Sequence, residues 1–155
     1  MALLKADDIS GFTELMHPDA TKRFRGWMVE LLDVAEANGQ SQELMLLYAG
    51  YDTPEELSPL TDAEFMASML SGVFRAQGLL GIMANAEIDI VGSVPEDDVR
   101  HVVYRFTTDV DGMSISKLTV MSLAPSEEGW RMLLTGDMEG MAAALQRAMG
   151  VDPQN

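Results

Sequence analysis

Residues 87–135 contain four runs that decide the fold: EIDIVGSV (87–94), VRHVVYRFTT (99–108), MSISKLTVMSLA (113–124) and GWRMLLT (129–135). β-Branched and aromatic residues are frequent in the first two, and short polar or glycine-bearing links part all four, as in strands joined by hairpins. The link Val94-Pro95-Glu96-Asp97-Asp98 is too short for a crossover, so the first two strands pair antiparallel. The link from Asp109 to Met113 allows two registers. A three-residue loop with Gly112 in the left-handed region pairs Phe106 with Ser116, Tyr104 with Leu118 and Val102 with Val120. That collects Val102, Tyr104, Phe106, Leu118 and Val120 on one face. A two-residue closure sets Phe106 against Lys117 and scatters the apolar set. A one-residue slip turns every side chain over, so the first register is expected. It leaves Arg105 opposite Lys117 on the other face, with Asp89 as the neutralising charge. The fourth run adds Trp130, Met132 and Leu134 to the apolar face.

The chain before this sheet reads as helix. Leu3 to Met16 holds one or two turns, capped by Asp7 or Ser10. Pro18 and Asp19 open the first clear helix, whose apolar set is Phe24, Trp27, Met28, Leu31, Leu32, Val34 and Ala35, ended by Asn38-Gly39. Ser41–Ala49 follows as a short helix, apolar on nearly every side and so expected to be buried. Two capping boxes come next, Thr53-Pro54-Glu55-Glu56 and Thr61-Asp62-Ala63-Glu64. The second starts a helix that buries Phe65, Met66, Met69, Leu70, Val73, Phe74 and Gln77. Gly72 inside it costs up to ~1 kcal/mol against alanine, which points to close packing there. Leu79 to Asn85 is expected to be a further turn of helix, and Glu139 to Met149 a last one. The whole is one domain over residues 1–150, with a tail at 151–155.

The bulk chemistry removes several classes of function. A net charge of −15 argues against nucleic acid and against an anionic membrane surface, both of which call for clustered Lys and Arg. Cysteine is absent, which excludes disulfides, thiolate metal sites and a cysteine nucleophile. No apolar run is long enough to span a bilayer, and MALLKADD lacks the basic start and long apolar stretch of a secretory signal, so a cytoplasmic location is expected. The 13 methionines fall mostly at helical core spacing and read as gap-fillers. His17 precedes a helix and His101 lies mid-strand, with no spacing that would hold zinc. No nucleophile elbow, dinucleotide fingerprint or phosphate loop occurs, so no cofactor is expected.

Helices first, then an antiparallel meander, give an α+β protein with helices on one sheet face. The paired runs HVVYRFTT and SKLTVMSLA and the closing EEGWRMLL (127–134) resemble the NTF2-like (cystatin-like) superfamily over residues 60–136. That resemblance implies a curved four-stranded sheet wrapped around N-terminal helices as a cone, here with an added C-terminal helix. Where the superfamily commonly places a first strand, this chain has YAGYDTPEELS (48–58), which leaves the cone shallow or filled. The implied roles are small-molecule binding, a protein-interaction module, or an isomerase or cyclase of the ketosteroid isomerase and polyketide cyclase type. The enzymes require a carboxylate base in an apolar cavity with a polarising donor. Asp89 with Tyr104 is one such pair, although the expected register turns Asp89 away from the apolar face. Asp52 beside Tyr48 and Tyr51 is another, which turn capping explains more simply.

The expectation is therefore a non-catalytic module. Its ligand pocket for an apolar small molecule would be lined by Trp27, Tyr48, Tyr104, Phe106 and Trp130. Its homodimer interface on the outer sheet face would use His101, Arg105 and Lys117, meeting acids of a second subunit. The isomerase or cyclase is the alternative.

Overall fold

The computed structural model describes residues 9–110 and 112–148. Helices α1 (Ile9–Glu14), α2 (Pro18–Ala37), α3 (Ser41–Met45), α4 (Pro54–Leu57), α5 (Asp62–Ala76) and α6 (Leu79–Ala84) come first. Strands β1 (Glu87–Glu96), β2 (Val99–Val110), β3 (Met113–Ser126) and β4 (Gly129–Met132) follow, and α7 (Gly136–Ala148) closes the chain. The sheet is an antiparallel meander in the order β1-β2-β3-β4. This is the α+β arrangement expected from the pattern of runs. The Leu3 start, the Asp7 cap, Met149 and the tail fall outside the described residues.

Several helices start where side chains satisfy free backbone N–H groups. His17 caps α2, its Nδ1 accepting from the Asp19 N–H at 3.2 Å, and Pro18 fills the first turn. Both capping boxes form: Thr53 with Glu56 opens α4, and Thr61 with Glu64 opens α5. The core belongs to these helices. Phe24, Met28 and Leu31 of α2 lock against Phe65, Met66 and Met69 of α5, with Leu44, Met45, Tyr48 and Leu57 sealing one end. Gly72 lies against the chain just after α3: a Cβ there would stand 2.1 Å from the Leu47 carbonyl oxygen. The close packing expected at that glycine is real.

Two helical expectations are corrected. α3 ends at Met45, because the next residues turn so that the Ala49 N–H reaches the Ser68 carbonyl at 3.0 Å. Leu46 is thrown outward by that turn and left 80% exposed, so the segment is not buried all round. Gln77 is exposed at the C-cap of α5 and outside the core set.

The β2–β3 register is also the other one. Val110 pairs with Met113, which leaves a two-residue closure, and Phe106 pairs with Lys117, Tyr104 with Thr119 and Val102 with Met121. Gly112 sits at φ +79°, and Asp-Gly is a favoured pair for the tightest hairpin turns. Turn chemistry and charge decided the register, not the gathering of apolar residues. The observed pairing sets Arg105 beside Leu118 on one side and Asp89 on the other, and so removes the Arg105–Lys117 clash. A bulge at Val91 in β1 keeps the first hairpin in step.

The last strand is anchored at its free edge by the front of the chain. Met16 bridges Met132 in parallel, the His17 N–H donating to the Met132 carbonyl at 2.7 Å and the Met132 N–H to the Leu15 carbonyl at 2.9 Å. Among the described residues, no helix is long and apolar enough to cross a membrane.

Candidate functional site

Directly paired residues of an antiparallel sheet point to the same face, so the register sorts every side chain. One face carries Tyr104, Phe106 and Thr108 of β2, Lys117, Thr119 and Met121 of β3, and Trp130 and Met132 of β4. Helices α6 and α7 touch this inner face, on which Ile90, Met113, Ile115 and Trp130 still leave half or more of their surface in solvent. Thr108 is buried there and its hydroxyl donates to the Ile82 carbonyl of α6 at 3.0 Å. Lys117 Nζ lies 3.9 Å from the Asp137 carboxylate at the start of α7. Tyr104 has its phenol pKa raised, first by burial and then by the Asp137 charge.

The opposite, outer face is built in cross-strand rows. Glu96 lies by Val99; Val94 by His101 and Ser122; Gly92 by Val103 and Val120; Asp89 by Arg105 and Leu118; Glu87 by Thr107 and Ser116. His101 is held flat in its row, its Nε2 2.7 Å from the Glu96 carboxylate and its Nδ1 2.9 Å from the Ser122 hydroxyl. Arg131, at the β4 end, is paired with Glu128. Between these polar positions Val94, Leu118 and Val120 leave half or more of their surface in solvent (58%, 57% and 50%). Small residues surround them, Gly92, Ser116, Ser122 and Ala124, so this face is low in relief.

The expected ligand-pocket aromatics do not converge. Tyr48 is sealed in the helical core, edge-on to Phe65 at 5.4 Å, and burial pushes its pKa far up. Among the described residues its hydroxyl has no hydrogen-bond partner. Trp27 is half-buried on α2 under the Arg23 guanidinium, 4.7 Å from the ring centroid. Trp130 is half-exposed at the sheet margin, with Arg100 5.7 Å above it. Only Tyr104 and Phe106 are neighbours, two residues apart on the inner face.

Two clefts are present elsewhere. One of about 780 Å³ lies open among α1, the start of α2, the start of α5 and the β3–β4 turn, with Glu14, Asp62 and Arg131 at its wall. The other, of about 360 Å³, lies between α2 and α4, beside Phe65. Arg25 borders this second cleft, but its guanidinium is already used: it donates to the Ser58 and Leu60 carbonyls and to Asp62. None of the five expected aromatics lines either cleft.

The expected interface residues separate as well. His101 and Arg105 lie on the outer face, whereas the observed register carries Lys117 to the inner one. Asp89 and Tyr104 stand on opposite faces, so they do not form a base and donor pair. Asp52 lies in the turn before α4, where its backbone N–H donates to the Glu56 carboxylate at 2.8 Å. The apolar residues of the outer face, Leu118 and Val120 above all, are the feature that sequence reasoning put on the wrong side. The Asp-Gly pair at 111–112 was the signal that could have placed them. Compared with protein-family models, with curated proteins and with solved structures, the chain finds no match, so its own surface chemistry has to carry the functional argument.

Proposed function

We propose that the protein is a non-catalytic protein-interaction module whose binding surface is the outer face of its sheet. The observation that carries this reading is the apolar strip of Val94, Leu118 and Val120, half or more exposed on the face turned away from α6 and α7, which touch the inner face at Thr108 and Lys117. A strand apolar on both sides is the pattern of a sheet covered on both sides. β2 and β3 have that pattern, with Val102, Tyr104 and Phe106 inward and Val103, Leu118 and Val120 outward. Exposed apolar patches of this kind mark places where another molecule sits. Kinship with the NTF2-like superfamily remains part of the proposal, on the order of helices and meander.

The interaction reading stands ahead of a small-molecule site because the aromatic residues are dispersed and the two clefts are lined by other groups. It stands ahead of an isomerase or cyclase because Asp89 lies on the face opposite Tyr104, and Tyr48, the phenol considered with Asp52, is sealed in the helical core. Native mass spectrometry of the purified protein, gentle and then denaturing, tests it. The expected spectrum shows the polypeptide mass with no small molecule leaving on denaturation. A stoichiometric small-molecule mass released by denaturation overturns the reading in favour of a ligand carrier or enzyme.

A further inference from the structure

The charges around the outer face specify what should cover it. β1 and β3 run one way and β2 and β4 the other, so the β1–β2 and β3–β4 turns share one end of the sheet. That end holds Glu96, Asp97, Asp98, Glu127 and Glu128. Toward the other end the outer face carries Glu87, Asp89 and Asp109. The apolar strip lies between two acidic ends. Of the cations on this face, His101 and Arg131 are already held by Glu96 and Glu128, and Arg105 stands beside Asp89. Glu87, Asp97, Asp98, Asp109 and Glu127 have no ion-pair partner among the described residues.

A second copy of this chain fits poorly. Both ends of the face are acidic, so a back-to-back pair sets acid against acid whether the two sheets run parallel or antiparallel. Each copy also carries a net charge of −15. Such like-charge juxtaposition costs affinity and slows encounter. Strand addition at the open edge of β1 is obstructed by the bulge at Val91 and by Pro95.

We propose that the outer face docks a basic amphipathic helix of a partner protein. This rests on the reading of that face as an interaction surface and adds the chemistry of its occupant. The apolar stripe of the helix covers Val94, Val103, Leu118 and Val120, and its lysines and arginines reach the acidic ends. The dimensions agree: from Val99 to Asp109 the face runs about 33 Å at ~3.3 Å per residue, close to the ~30 Å of a 20-residue helix. The small residues Gly92, Ser122 and Ala124 leave room for a helix to lie close.

The test uses the full-length protein and two fluorescein-labelled 20-residue peptides of identical lysine and leucine composition. In one, leucines recur at helical stripe spacing; in the other they are scrambled. Binding is read by fluorescence anisotropy at 150 mM salt, and the oligomeric state by light scattering after size exclusion. We expect a monomer that binds the striped peptide at least tenfold more tightly than the scrambled one. The Leu118→Glu/Val120→Glu variant should lose that preference, and so should Leu118→Ala/Val120→Ala, which keeps the face uncharged should the first fold poorly. Ile115→Glu, on the inner face, should retain it.

Equal binding of both peptides, or a preference that survives the outer-face variants, overturns the proposed occupant. A dimer that Leu118→Glu dissociates, with no peptide preference, overturns the basic partner and keeps the interaction surface. A monomer without preference, whose outer-face variants change neither binding nor association, overturns both.

Discussion

Replacing Gly72 by alanine sets two effects against each other, and the structure decides between them. Alanine is the better helix former by ~1 kcal/mol, so in open space the substitution in α5 would stabilise. The space is not open. The new Cβ would stand 2.1 Å from the Leu47 carbonyl oxygen, 2.6 Å from its carbon and 3.3 Å from the Ala49 nitrogen. A comfortable separation between such atoms is about 3.5 Å, so backbone has to move by more than 1 Å. That backbone is tied down. The Ala49 N–H bonds to Ser68 one turn earlier on the same helix face, and Leu44, Met45 and Tyr48 on either side are buried. Overpacking of this order costs roughly 2–3 kcal/mol, and straining the Ala49–Ser68 bond adds about 1 kcal/mol. Less the propensity gain, the net loss is about 2–3 kcal/mol, a fall in melting temperature of roughly 4–12 °C for a chain of this size. Gly26 in α2 is the control, since nothing lies within 4 Å of its Cβ position. Gly26→Ala should stabilise by roughly 0.5–1 kcal/mol. Urea denaturation followed by far-ultraviolet circular dichroism measures both. Equal stabilisation by the two substitutions would refute the close approach of α5 to the Leu47–Ala49 backbone.

Three further outcomes follow from contacts within the helical layer. Arg25→Lys should destabilise by about 1.5–3 kcal/mol in calorimetry, nearly as much as Arg25→Ala, because an ammonium does not span the Ser58 and Leu60 carbonyls and Asp62 together. Tyr48→Phe should leave stability at pH 7 unchanged or raise it by up to about 1 kcal/mol, since it removes a buried hydroxyl without a partner among the described residues. The same residue sets an alkaline limit. In the unfolded chain the phenol ionises near pH ~10, whereas burial holds it neutral in the fold, so its contribution is whole below that pH and declines above it. Stability measured between pH 8 and 11 should fall less steeply in Tyr48→Phe. Thr61→Ala should cost about 1 kcal/mol through the α5 cap. Hydrogen bonds from Thr61 lower the Glu64 pKa, so the capping-box contribution is present above the ordinary carboxylate range and fades as pH falls through the lowered value. Urea titrations at pH 3 and pH 6 should show a smaller Thr61→Ala effect at the lower pH.

The residues that announced themselves in the sequence are those whose structure is fixed locally. Pro18, the two Thr-x-x-Glu boxes and the glycine after Asn38 set helix limits by backbone chemistry alone, and the helices begin and end near them. The strands were legible because β-branched residues and short turns recur along 87–132. Leu118 and Val120 were not. Their side depends on a single residue in the 110–113 turn, and the rule that apolar residues gather on one face fails for a sheet apolar on both. The candidate surface was hidden by that same slip, which carried Lys117 inward and Leu118 outward together. Arg25 gave no signal either, because its partners are carbonyls more than thirty residues away.

The Met16–Met132 bridge has a consequence for the protein during its synthesis. The buried helical residues from Ile9 to Leu70 leave the ribosome before any strand does, and they can pack while the sheet is still being translated. The Leu15–His17 backbone, whose partner is Met132, then waits for another 62 residues (132 less 70). At ~5–20 residues per second that interval is about 3–12 s. For that time a short stretch of unpaired peptide borders a helical layer that still lacks α7. Arrival of β4 satisfies it, so a segment that precedes the helical core is joined to the strand that ends the sheet.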